Sequence, residues 1–421
     1  MKIVHPGTRE EVGELLAAAQ SKGTRVAVRG GGTLEQTCSL EGPAPDLLLD
    51  LSRMNRITAI EQGNLLARVE AGTVTGALQA AVEVEGLFYP PDPPTLDSCT
   101  IGGNIASAAA GPRRLKYGGT RDFVLGLEVV LPNGETIRTG ANMQKSVAGY
   151  DMTRFLIGSG ARFGVVTGAV LRLLPKPQCR QTLLCSLPGF SAAASVALAI
   201  LKGGLTPAAM ELLDRHCVGV DGEAWRSLGL PPRSTSQEEA LLLFELDGVE
   251  ASVKRQRAQI ERLCREHGNA AILILADPAE MSRAWELRQR LLSQLIAVNP
   301  VWAMAVAAVV PDRLPAPLSL DDTGAAALSN GSSSVACFAH AGSGILHLFV
   351  GTDPARERDG DEGLALVRGM IDRLHGVGGR LLGSYGPARQ NLGEEERVAP
   401  PLRDALEAIR RSFDPKGIMV P

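Results

Sequence analysis

The sequence predicts an α+β protein built from two domains. Its 421 residues exceed the roughly 150 that one domain usually needs. Up to about residue 175 short strands and helices alternate, and beyond it longer strands are separated by amphipathic helices. The segment Pro175-Lys176-Pro177 lies between these two patterns. Because two prolines so close together favour an extended connector, we expect the domain boundary there.

Composition excludes several classes of protein. Hydrophobic residues make up 45% and charged residues 21%, which is typical of a globular chain and not of a disordered one. The net charge is -3 and 4% of the residues are aromatic, which argues against a nucleic-acid-binding protein. Glycine, with 47 residues, is above its average usage. We therefore expect backbone that turns sharply or approaches a ligand closely.

Seven cysteines are spread along the chain without a CxxC pair. An odd number without that spacing argues against a disulfide framework, a zinc ribbon or an iron–sulfur cluster. The first residues, Met1-Lys2-Ile3, do not open an apolar signal segment. The sequence therefore predicts free thiols in a reducing compartment, and we expect a cytoplasmic protein.

Three stretches without Asp, Glu, Lys or Arg are as long as a membrane span: 181–201, 291–311 and 323–352. Pro188-Gly189 interrupts the first and Asn299-Pro300 the second, while the third is rich in Ser, Gly and His. These interruptions favour strands and helices of a buried core.

The first predicted element is a helix over residues 8–22. Thr8 and Glu11 form a capping-box pattern, apolar residues follow at helical spacing, and Gly23 marks the end. Further along, Pro132-Asn133-Gly134 predicts a hairpin turn between two strands. The other elements expected in this domain are strands at 25–29, 47–51, 66–71, 126–131 and 135–139 and a helix at 75–84.

Beyond the connector, amphipathic helices are predicted at 249–266, 279–295 and 361–374. Their alternation with strands favours an antiparallel sheet with helices packed on one face. A last helix over 402–413 is stopped by Asp414-Pro415.

The loop Gly30-Gly31-Gly32-Thr33 follows a predicted strand that ends at Arg29. Small residues there allow consecutive backbone N–H groups to converge on an anion such as a diphosphate. A tight surface turn would use the same glycines, so the loop alone leaves both interpretations open. Neither a P-loop nor a GxGxxG fingerprint joins a strand to a helix in this sequence.

A second glycine-bearing stretch favours the ligand. Its prolines, paired glycines and small residues describe backbone wrapped around a flat, extended molecule. It reads Pro90-Pro91-Asp92-Pro93, then Cys99-Thr100-Ile101-Gly102-Gly103-Asn104, then Gly111-Pro112-Arg113-Arg114-Leu115-Lys116-Tyr117-Gly118.

With these stretches the chain resembles the FAD-linked oxidases of the PCMH or vanillyl-alcohol-oxidase type, in the glycolate oxidase and D-lactate dehydrogenase branch. The motifs that carry the resemblance follow one another over nearly the whole chain. They are RGGGT at Arg29, LDLSRMNRI at Leu49, FYPPDP at Phe88, CTIGGN at Cys99, LGLEVVLPNGE at Leu125, VAGYD at Val147, GVVT at Gly164, LLPKP at Leu173 and FDPKGIM at Phe413.

The resemblance implies a PCMH-type FAD-binding domain at 1–175, an antiparallel-sheet cap domain of the FAD-linked oxidase C-terminal type at 176–400, and a helix and tail at 401–421 that return to the FAD domain. The glycine loop would cradle the pyrophosphate of FAD. Thr33 stands where some related flavoenzymes carry a flavin-linked His, which implies noncovalent FAD. The FAD-binding residues implied in this way are Arg29, Gly30, Gly31, Gly32, Thr33, Pro91, Asp92, Thr100, Gly102, Gly103, Asn104, Gly111, Tyr117, Gly118, Gly164, Val165 and Val166.

The substrate side departs from the family pattern. The motif H-x-G-D-G-N-x-H is represented by His340 to His347, and G-E-H-G by Gly383-Ser384-Tyr385-Gly386. In the family the two outer His and the Glu bind a divalent metal, and the His of the second motif is the base. Here Ser384 and Tyr385 replace that Glu and His. A serine is a poor substitute for a carboxylate and a phenol is a weak base at neutral pH, so we expect no bound divalent metal.

Several candidates keep two interpretations. His340 and His347 are either metal ligands or ordinary core histidines. Arg288 matches a family arginine that binds the substrate carboxylate, but it is equally a solvated charge on its helix. Arg113 and Lys116 contact either the flavin phosphate or a partner.

Two functions compete. The loss of the carboxylate and the base favours an electron-transferring or accessory FAD subunit, in a complex with a catalytic flavoprotein paralogue and an iron–sulfur subunit. The alternative is a self-sufficient FAD-dependent dehydrogenase of a small 2-hydroxy acid such as glycolate or D-lactate, with Tyr385 and Arg288 as the candidate catalytic residues. Because the chain has no iron–sulfur motif of its own, an iron–sulfur cluster would be bound by a partner. Any association with a membrane would likewise occur through the partners.

Overall fold

The computed structural model describes residues 1–33, 44–143, 149–229, 240–268, 271–299, 301–314, 333–352, 368–386 and 400–420. The chain forms two compact units. Unit 1 comprises Met1–Arg113, Tyr117–Lys176 and Val398–Pro421, and unit 2 comprises Arg114–Lys116 and Pro177–Arg397.

The described residues of unit 1 form ten strands. They are β1 (Lys2–Val4), β2 (Val26–Arg29), β3 (Leu47–Asp50), β4 (Ile57–Glu61), β5 (Leu66–Glu70), β6 (Leu87–Phe88), β7 (Val124–Val130), β8 (Thr136–Gly140), β9 (Val165–Arg172) and β10 (Leu174–Pro175). The described helices up to Leu156 are α1 (Arg9–Lys22), α2 (Thr75–Val84), α3 (Ile101–Ser107), α4 (Arg114–Tyr117), α5 (Thr120–Phe123) and α6 (Met152–Leu156). All lie in unit 1 except α4, whose residues Arg114–Lys116 are assigned to unit 2.

These strands form two main sheets. One is parallel, with the order β1-β3-β2, and the other is antiparallel, with the order β4-β5-β9-β7-β8. Apolar side chains of α2 and α3 pack on one face of the five-stranded sheet, among them Leu78, Ile101 and Ile105. Helix α1 packs on the parallel sheet through Val12 and Leu16.

The local signals in the sequence are confirmed where the structure describes them. Thr8 caps α1 by accepting a hydrogen bond from the Glu11 N–H at 3.2 Å, and the Glu11 carboxylate accepts from the Gly7 N–H at 2.8 Å. The predicted hairpin connects β7 to β8, with Gly134 at a φ of 88°. A positive φ of this size is costly for residues with a side chain, which is why glycine stands there.

Unit 2, as far as its residues are described, is built on an eight-stranded antiparallel sheet. Its strands are β11 (Cys179–Leu187), β12 (Ala209–Leu213), β13 (Ala240–Gly248), β14 (Ala271–Leu275), β15 (Val301–Ala308), β16 (Ser333–His340), β17 (Ile345–Thr352) and β18 (Arg380–Tyr385), in the order β14-β11-β13-β12-β16-β17-β15-β18. The helices are α7 (Phe190–Lys202), α8 (Arg215–Gly219), α9 (Gly222–Ser227), α10 (Glu250–Gly268) and α11 (Pro278–Ala297), and residues 368–376 are also helical. Of the predicted helix at 361–374, residues 361–367 lie outside the described residues.

The expectation that helices cover one face of this sheet is wrong. Helices α7 and α10 pack on the face that carries Leu183 and Leu242, whereas α11 packs on the face that carries Leu184 and Leu243. The reason is visible in β13, where every residue from 240 to 247 is buried. A strand buried on both sides is apolar continuously rather than alternately, and it needs a cover on each face.

The charge-free stretches are accounted for by this architecture. Residues 181–201 form much of β11 and α7, residues 291–311 form the end of α11 and β15, and the described part of the third stretch forms β16 and β17. Within the described ranges no helix is both long enough and apolar enough to cross a membrane. The six cysteines that the structure describes are all free thiols, as predicted; Cys38 lies outside the described residues.

The last helix, α12 (Pro400–Phe413), belongs to unit 1. Phe413 at its end packs against Phe163 and Phe155, with ring centroids 5.4 Å and 6.0 Å away. The next residue, Asp414, is buried and accepts hydrogen bonds from the N–H groups of Ile418 and Met419. The tail then pairs with β2, since the Val26 N–H donates to the Ile418 carbonyl and the Val420 N–H donates to the Val26 carbonyl.

Candidate functional site

The glycine loop after β2 leaves its backbone N–H groups without a described acceptor: no described residue accepts a hydrogen bond from those of Gly30, Gly31 or Gly32. Gly32 has a φ of 67°, which turns the chain sharply at this point. Unsatisfied N–H groups on consecutive residues provide convergent donors for a phosphate oxygen.

The same loop lies directly on the segment that precedes α3. A Cβ on Gly31 would stand 1.9 Å from the carbonyl oxygen of Ser98, and a Cβ on Gly30 would stand 2.2 Å from Oγ1 of Thr100. Packing therefore requires glycine at both positions. Arg29, which ends β2, is held by Asp50, whose Oδ2 lies 2.6 Å from its Nη2.

The segment from Pro91 to Asn104 is anchored mainly within unit 1. Thr100 caps α3 by accepting from the Gly103 N–H, and the Asn104 amide donates to Oγ1 of Thr75 at 2.7 Å. Gly102 packs on Ala71, whose Cβ would be 2.7 Å from a Cβ at this glycine. Gly102 and Asn104 are buried, and their backbone N–H groups donate to the carbonyls of Ala71 and Thr100, so neither backbone N–H is an open donor.

Asp92 connects this segment to the stretch that begins at Gly111. Its Oδ1 accepts from the Arg113 N–H at 3.2 Å, and its Oδ2 lies 3.7 Å from the Arg113 guanidinium. A Cβ on Gly111 would stand 2.0 Å from the Asp92 carbonyl oxygen. The Pro91 carbonyl accepts from the side chain of Gln79. Glycine at position 111 therefore lets the two chain segments touch.

The remaining predicted FAD residues lie at two other places. The Tyr117 ring meets Phe88 edge to face at 5.6 Å, and Gly118, at a φ of 88°, packs on Asp122. Gly164 leads into β9, where Val165 is buried and Val166 is half-buried. The structure thus brings the glycine loop together with Ser98 to Thr100, and Asp92 together with Gly111, while Val165 and Val166 pair with β7.

A cleft of about 750 Å³ lies along β5, β7, β8 and β9 of unit 1. Its charged lining is paired: Arg9 and Arg138 contact Glu128, and Arg56 contacts Glu70. None of the predicted FAD residues lines it.

In unit 2 a buried carboxylate, which was not predicted as a site residue from the sequence, binds two residues that were, Arg288 and His340. Glu211 on β12 is fully buried, and each of its oxygens has a partner. Oε2 accepts from Nε of Arg288 at 2.8 Å and from Nη2 at 2.6 Å, while Oε1 lies 2.7 Å from Nδ1 of His340. Burial alone would raise the pKa of Glu211, but the basic groups of His340 and Arg288 hold it below its ordinary value.

The register of the sheet explains why these groups meet. Glu211 stands directly opposite His340 where β12 pairs with β16, so both side chains lie on the same face. Arg288 comes from α11, the helix that covers this face. A charged residue inside the apolar run Ala208 to Leu213 was a usable signal, because a buried carboxylate requires a partner.

Arg288 is not a solvated charge, and that interpretation is wrong. Its side chain is 6% exposed, it is paired with Glu211, and its guanidinium lies over the Phe338 ring at 4.9 Å. Its proposed role towards a substrate carboxylate stays a prediction.

The two histidines differ in their surroundings. His340 has Glu211 as its partner, whereas neither ring nitrogen of His347 has a hydrogen-bond partner or is accessible. The His347 ring stacks on Phe338 at 4.5 Å and stands perpendicular to His340 at 5.4 Å. Burial lowers the pKa of His347 well below its ordinary value, and the basic groups of His340 and Arg288 lower it further.

Tyr385 lies at the end of β18, opposite Met304 on β15, and is half-buried. Its hydroxyl lies against Gly383, where a Cβ would be 3.0 Å away. The side chain of Ser384 lies outside the described residues. Among the side chains that are described, no three His, Cys, Asp or Glu residues are grouped so that they could hold a metal ion. The described residues therefore do not fit the divalent metal of the family pattern.

A neutral buried His347 makes the stability of unit 2 dependent on pH. The unfolded chain takes up a proton at this residue below about pH 6.5, and the folded chain does not until much lower pH. The contribution of His347 to the free energy of unfolding is therefore fully present above that pH. It is lost as the pH falls, by about 1.4 kcal/mol per pH unit.

We expect urea unfolding at a series of pH values to show this slope, followed by the fluorescence of the three tryptophans, which all lie in unit 2. The variant His347→Leu is expected to lose the slope, while the exposed His375→Leu keeps it. If the free energy of unfolding depended on pH equally in wild type and in His347→Leu, the pH dependence could not be attributed to His347.

Two family models match the chain. A model described as an FAD binding domain matches residues 2–140, and one described as FAD linked oxidases, C-terminal domain, matches residues 176–421. The glycolate oxidase subunit GlcD of Bacillus subtilis (strain 168) is 34% identical over 422 residues, which cover 100% of this chain and 87% of that protein. The mitochondrial D-lactate dehydrogenase (cytochrome) of Arabidopsis thaliana is 29% identical, over 100% of this chain and 72% of its own length.

Solved structures share the fold. The structure of p-cresol methylhydroxylase with substrate bound superimposes with a TM-score of 0.73 at 16% identity, over 100% of this chain and 87% of that one. The predicted α+β fold of the PCMH type is confirmed by this likeness.

Proposed function

Since this chain belongs to the FAD-linked oxidases, we propose that it is the FAD-binding subunit of an oxidoreductase complex that oxidises a small 2-hydroxy acid. The observation that carries the proposal is the loop Gly30 to Gly32, whose unpartnered N–H groups fit the diphosphate of FAD. The names of the relatives, glycolate oxidase and D-lactate dehydrogenase, support the substrate class. FAD is held noncovalently, because Thr33 offers no nucleophilic imidazole at the position of the flavin-linked His.

Partners are part of the proposal. The Bacillus subtilis relative is named a subunit, which supports a complex for this chain as well. The partners we propose are a flavoprotein paralogue and an iron–sulfur subunit, in the cytoplasm. Any membrane association would come through those partners.

The complex can use this chain in two ways. In the accessory form, the chain transfers electrons and a paralogue oxidises the substrate. Ser384 and Tyr385, in place of a carboxylate and an imidazole, support this form, because neither replacement anchors a metal or serves as a base at neutral pH.

The second candidate is a self-sufficient dehydrogenase that removes the hydroxyl proton itself. One observation favours it: His340 is held by a buried carboxylate, the arrangement by which enzymes orient a histidine base. The two forms differ in one step, the removal of the substrate's hydroxyl proton.

The proposal is tested by adding glycolate, D-lactate and D-2-hydroxyglutarate without oxygen to the FAD-loaded chain and to the complex that co-purifies with it. We expect at least one acid to bleach the visible flavin absorbance of the complex, because hydride transfer reduces the flavin. Bleaching of the complex alone supports the accessory form, and bleaching of the isolated chain supports the second candidate. A complex that contains FAD and stays oxidised with all three acids would contradict the proposed function.

A further inference from the structure

Two side chains of opposite charge stand beside the glycine loop, at the ends of β2 and β3. Arg29 is the last residue of β2 and stands directly opposite Asp50, the last residue of β3. The two strands are parallel, so both residues lie at the same edge of the sheet. The loop Gly30 to Gly32 begins at that edge, immediately after Arg29. A carboxylate therefore stands one strand spacing, about 4.8 Å, from the start of the loop that is proposed to bind the diphosphate of FAD.

Asp50 is buried and charged, and Arg29 compensates its charge. The Asp50 side chain is 8% exposed, and its Oδ2 accepts from Nε of Arg29 at 3.0 Å and from Nη2 at 2.6 Å. Its Oδ1 accepts from the Ser52 N–H at 2.9 Å, and Nδ1 of His5 lies 3.6 Å from the same oxygen. Burial alone would raise the pKa of Asp50, but the hydrogen bonds from Ser52 and Arg29 hold it below its ordinary value.

Asp50 would oppose the binding of a diphosphate if its charge were not compensated. A diphosphate is an anion, and its repulsion from a buried carboxylate is poorly screened by water and salt. The N–H groups of the loop are dipoles and carry no net charge that would cancel this repulsion. Arg29 supplies the positive charge, and its two hydrogen bonds to one carboxylate oxygen fix where that charge lies.

Arg29 cannot turn to a phosphate without a cost, because the buried Asp50 carboxylate would then lose the guanidinium that holds it. Leaving a buried charge unpaired in this way is strongly unfavourable. Resting on the proposed function, we propose that Asp50 positions and neutralises Arg29, so that the N–H groups of the loop bind the diphosphate beside a pair without net charge. Arg29, which the sequence predicts to bind FAD, then acts as the counter-charge of Asp50 and forms no salt bridge to a phosphate.

The proposal gives the two single substitutions opposite effects on the affinity for FAD. Asp50→Asn removes the negative charge and leaves Arg29 uncompensated, so we expect FAD to bind about 3- to 30-fold more tightly. Arg29→Gln leaves the carboxylate uncompensated, so we expect binding to weaken by about 3- to 30-fold. The double variant loses both charges and should bind FAD within about 3-fold of wild type. A salt bridge from Arg29 to a phosphate would make the double variant as weak as Arg29→Gln.

The affinities are measured without any turnover. The full chain is stripped of FAD and titrated with FAD in a calorimeter, once at low salt and once in about 1 M salt, where the Debye length is about 3 Å. We expect the shifts of both single variants to shrink to less than about 3-fold in high salt, because they arise from charge. A merely structural role, in which the substitution changes the shape of the loop, predicts shifts that high salt does not remove.

The other ends of the same two strands provide a matched control. Arg25, just before β2, donates from Nε and Nη2 to Asp46, just before β3, at 3.1 Å each. This pair has the same chemistry but lies four residues of strand, roughly 13 Å, from the glycine loop. Because that distance exceeds the Debye length of about 10 Å at 0.1 M salt, Asp46→Asn should bind FAD within about 2-fold of wild type.

The outcomes separate this inference from the proposed function. A wild-type chain that binds no FAD overturns the proposed function. If wild type binds FAD, the inference is overturned by a double variant as weak as Arg29→Gln, by weaker binding in Asp50→Asn, or by shifts that persist in high salt. Circular dichroism shows whether each stripped variant is folded. If Arg29→Gln does not fold, Asp50→Asn and the double variant still decide, since neither leaves a carboxylate unpaired.

Discussion

Replacing Gly31 by glutamate is expected to abolish FAD binding. A Cβ at this position would stand 1.9 Å from the Ser98 carbonyl oxygen, so the loop has to move away from the segment that precedes α3. The added carboxylate would also place a negative charge where the free N–H groups of the loop are expected to meet the diphosphate. We expect the FAD released on denaturation to fall from about one per chain to below about one tenth.

Gly63→Glu is the matched control. Gly63 lies in a short surface turn of unit 1, and a Cβ there would have no neighbour within 4 Å. This variant adds the same side chain to the same unit and should keep its FAD. Circular dichroism of Gly31→Glu, compared with wild type stripped of FAD, separates loss of the cofactor from loss of the fold. Stoichiometric FAD in folded Gly31→Glu would show that the loop does not bind the diphosphate.

Replacing Arg288 by leucine is expected to lower the free energy of unfolding of unit 2 by about 3–5 kcal/mol. The substitution leaves the Glu211 carboxylate fully buried with His340 as its one remaining described partner. An uncompensated buried charge is among the largest destabilising effects that a single substitution produces. Tryptophan fluorescence in urea measures the change, because the three tryptophans report on unit 2.

A double substitution tests the cause. If the charge of Glu211 is responsible, Glu211→Leu combined with Arg288→Leu should be less destabilised than Arg288→Leu alone, since no unpaired charge then remains. Arg290→Leu removes an exposed arginine from the same helix and should change the stability by no more than about 0.5 kcal/mol. A loss in Arg288→Leu as small as that in Arg290→Leu would refute the importance of the buried pair.

The parts of the fold that depend on neighbouring residues could be predicted from the sequence. The pair Thr8 and Glu11 sits within one helical turn, and helix 8–22 is found as Arg9–Lys22 with Thr8 as its cap. The turn at residues 132–134 was predicted for the same reason. The three glycines of the loop Gly30 to Gly32 are adjacent, so a role in anion binding could be proposed before the fold was known.

The cluster around Glu211 could not be predicted in this way. Glu211, Arg288 and His340 come from β12, α11 and β16, and they meet only because β12 pairs with β16 and α11 covers that face. Hydrophobic periodicity indicates which residues are buried, but it does not specify the order of strands in a sheet. The helices on both faces of the sheet could have been predicted more easily. The unbroken apolar run at residues 240–244 of β13 is typical of a strand that is buried on both sides.

The position of the tail beside β2 governs how the protein assembles during synthesis. Unit 1 consists of segments on either side of unit 2, and its parallel sheet is completed by Ile418 to Val420. When residue 176 has left the ribosome, Pro177–Arg397 still has to be translated before the tail arrives, which takes roughly 10 to 45 s at 5–20 residues per second. During that interval the β2 edge lacks its partner strand while all of unit 2 emerges and can fold. Synthesis of unit 2 is therefore finished before that of unit 1. The nascent chain passes through a stage in which unit 2 can be folded while the β2 edge of unit 1 is still open.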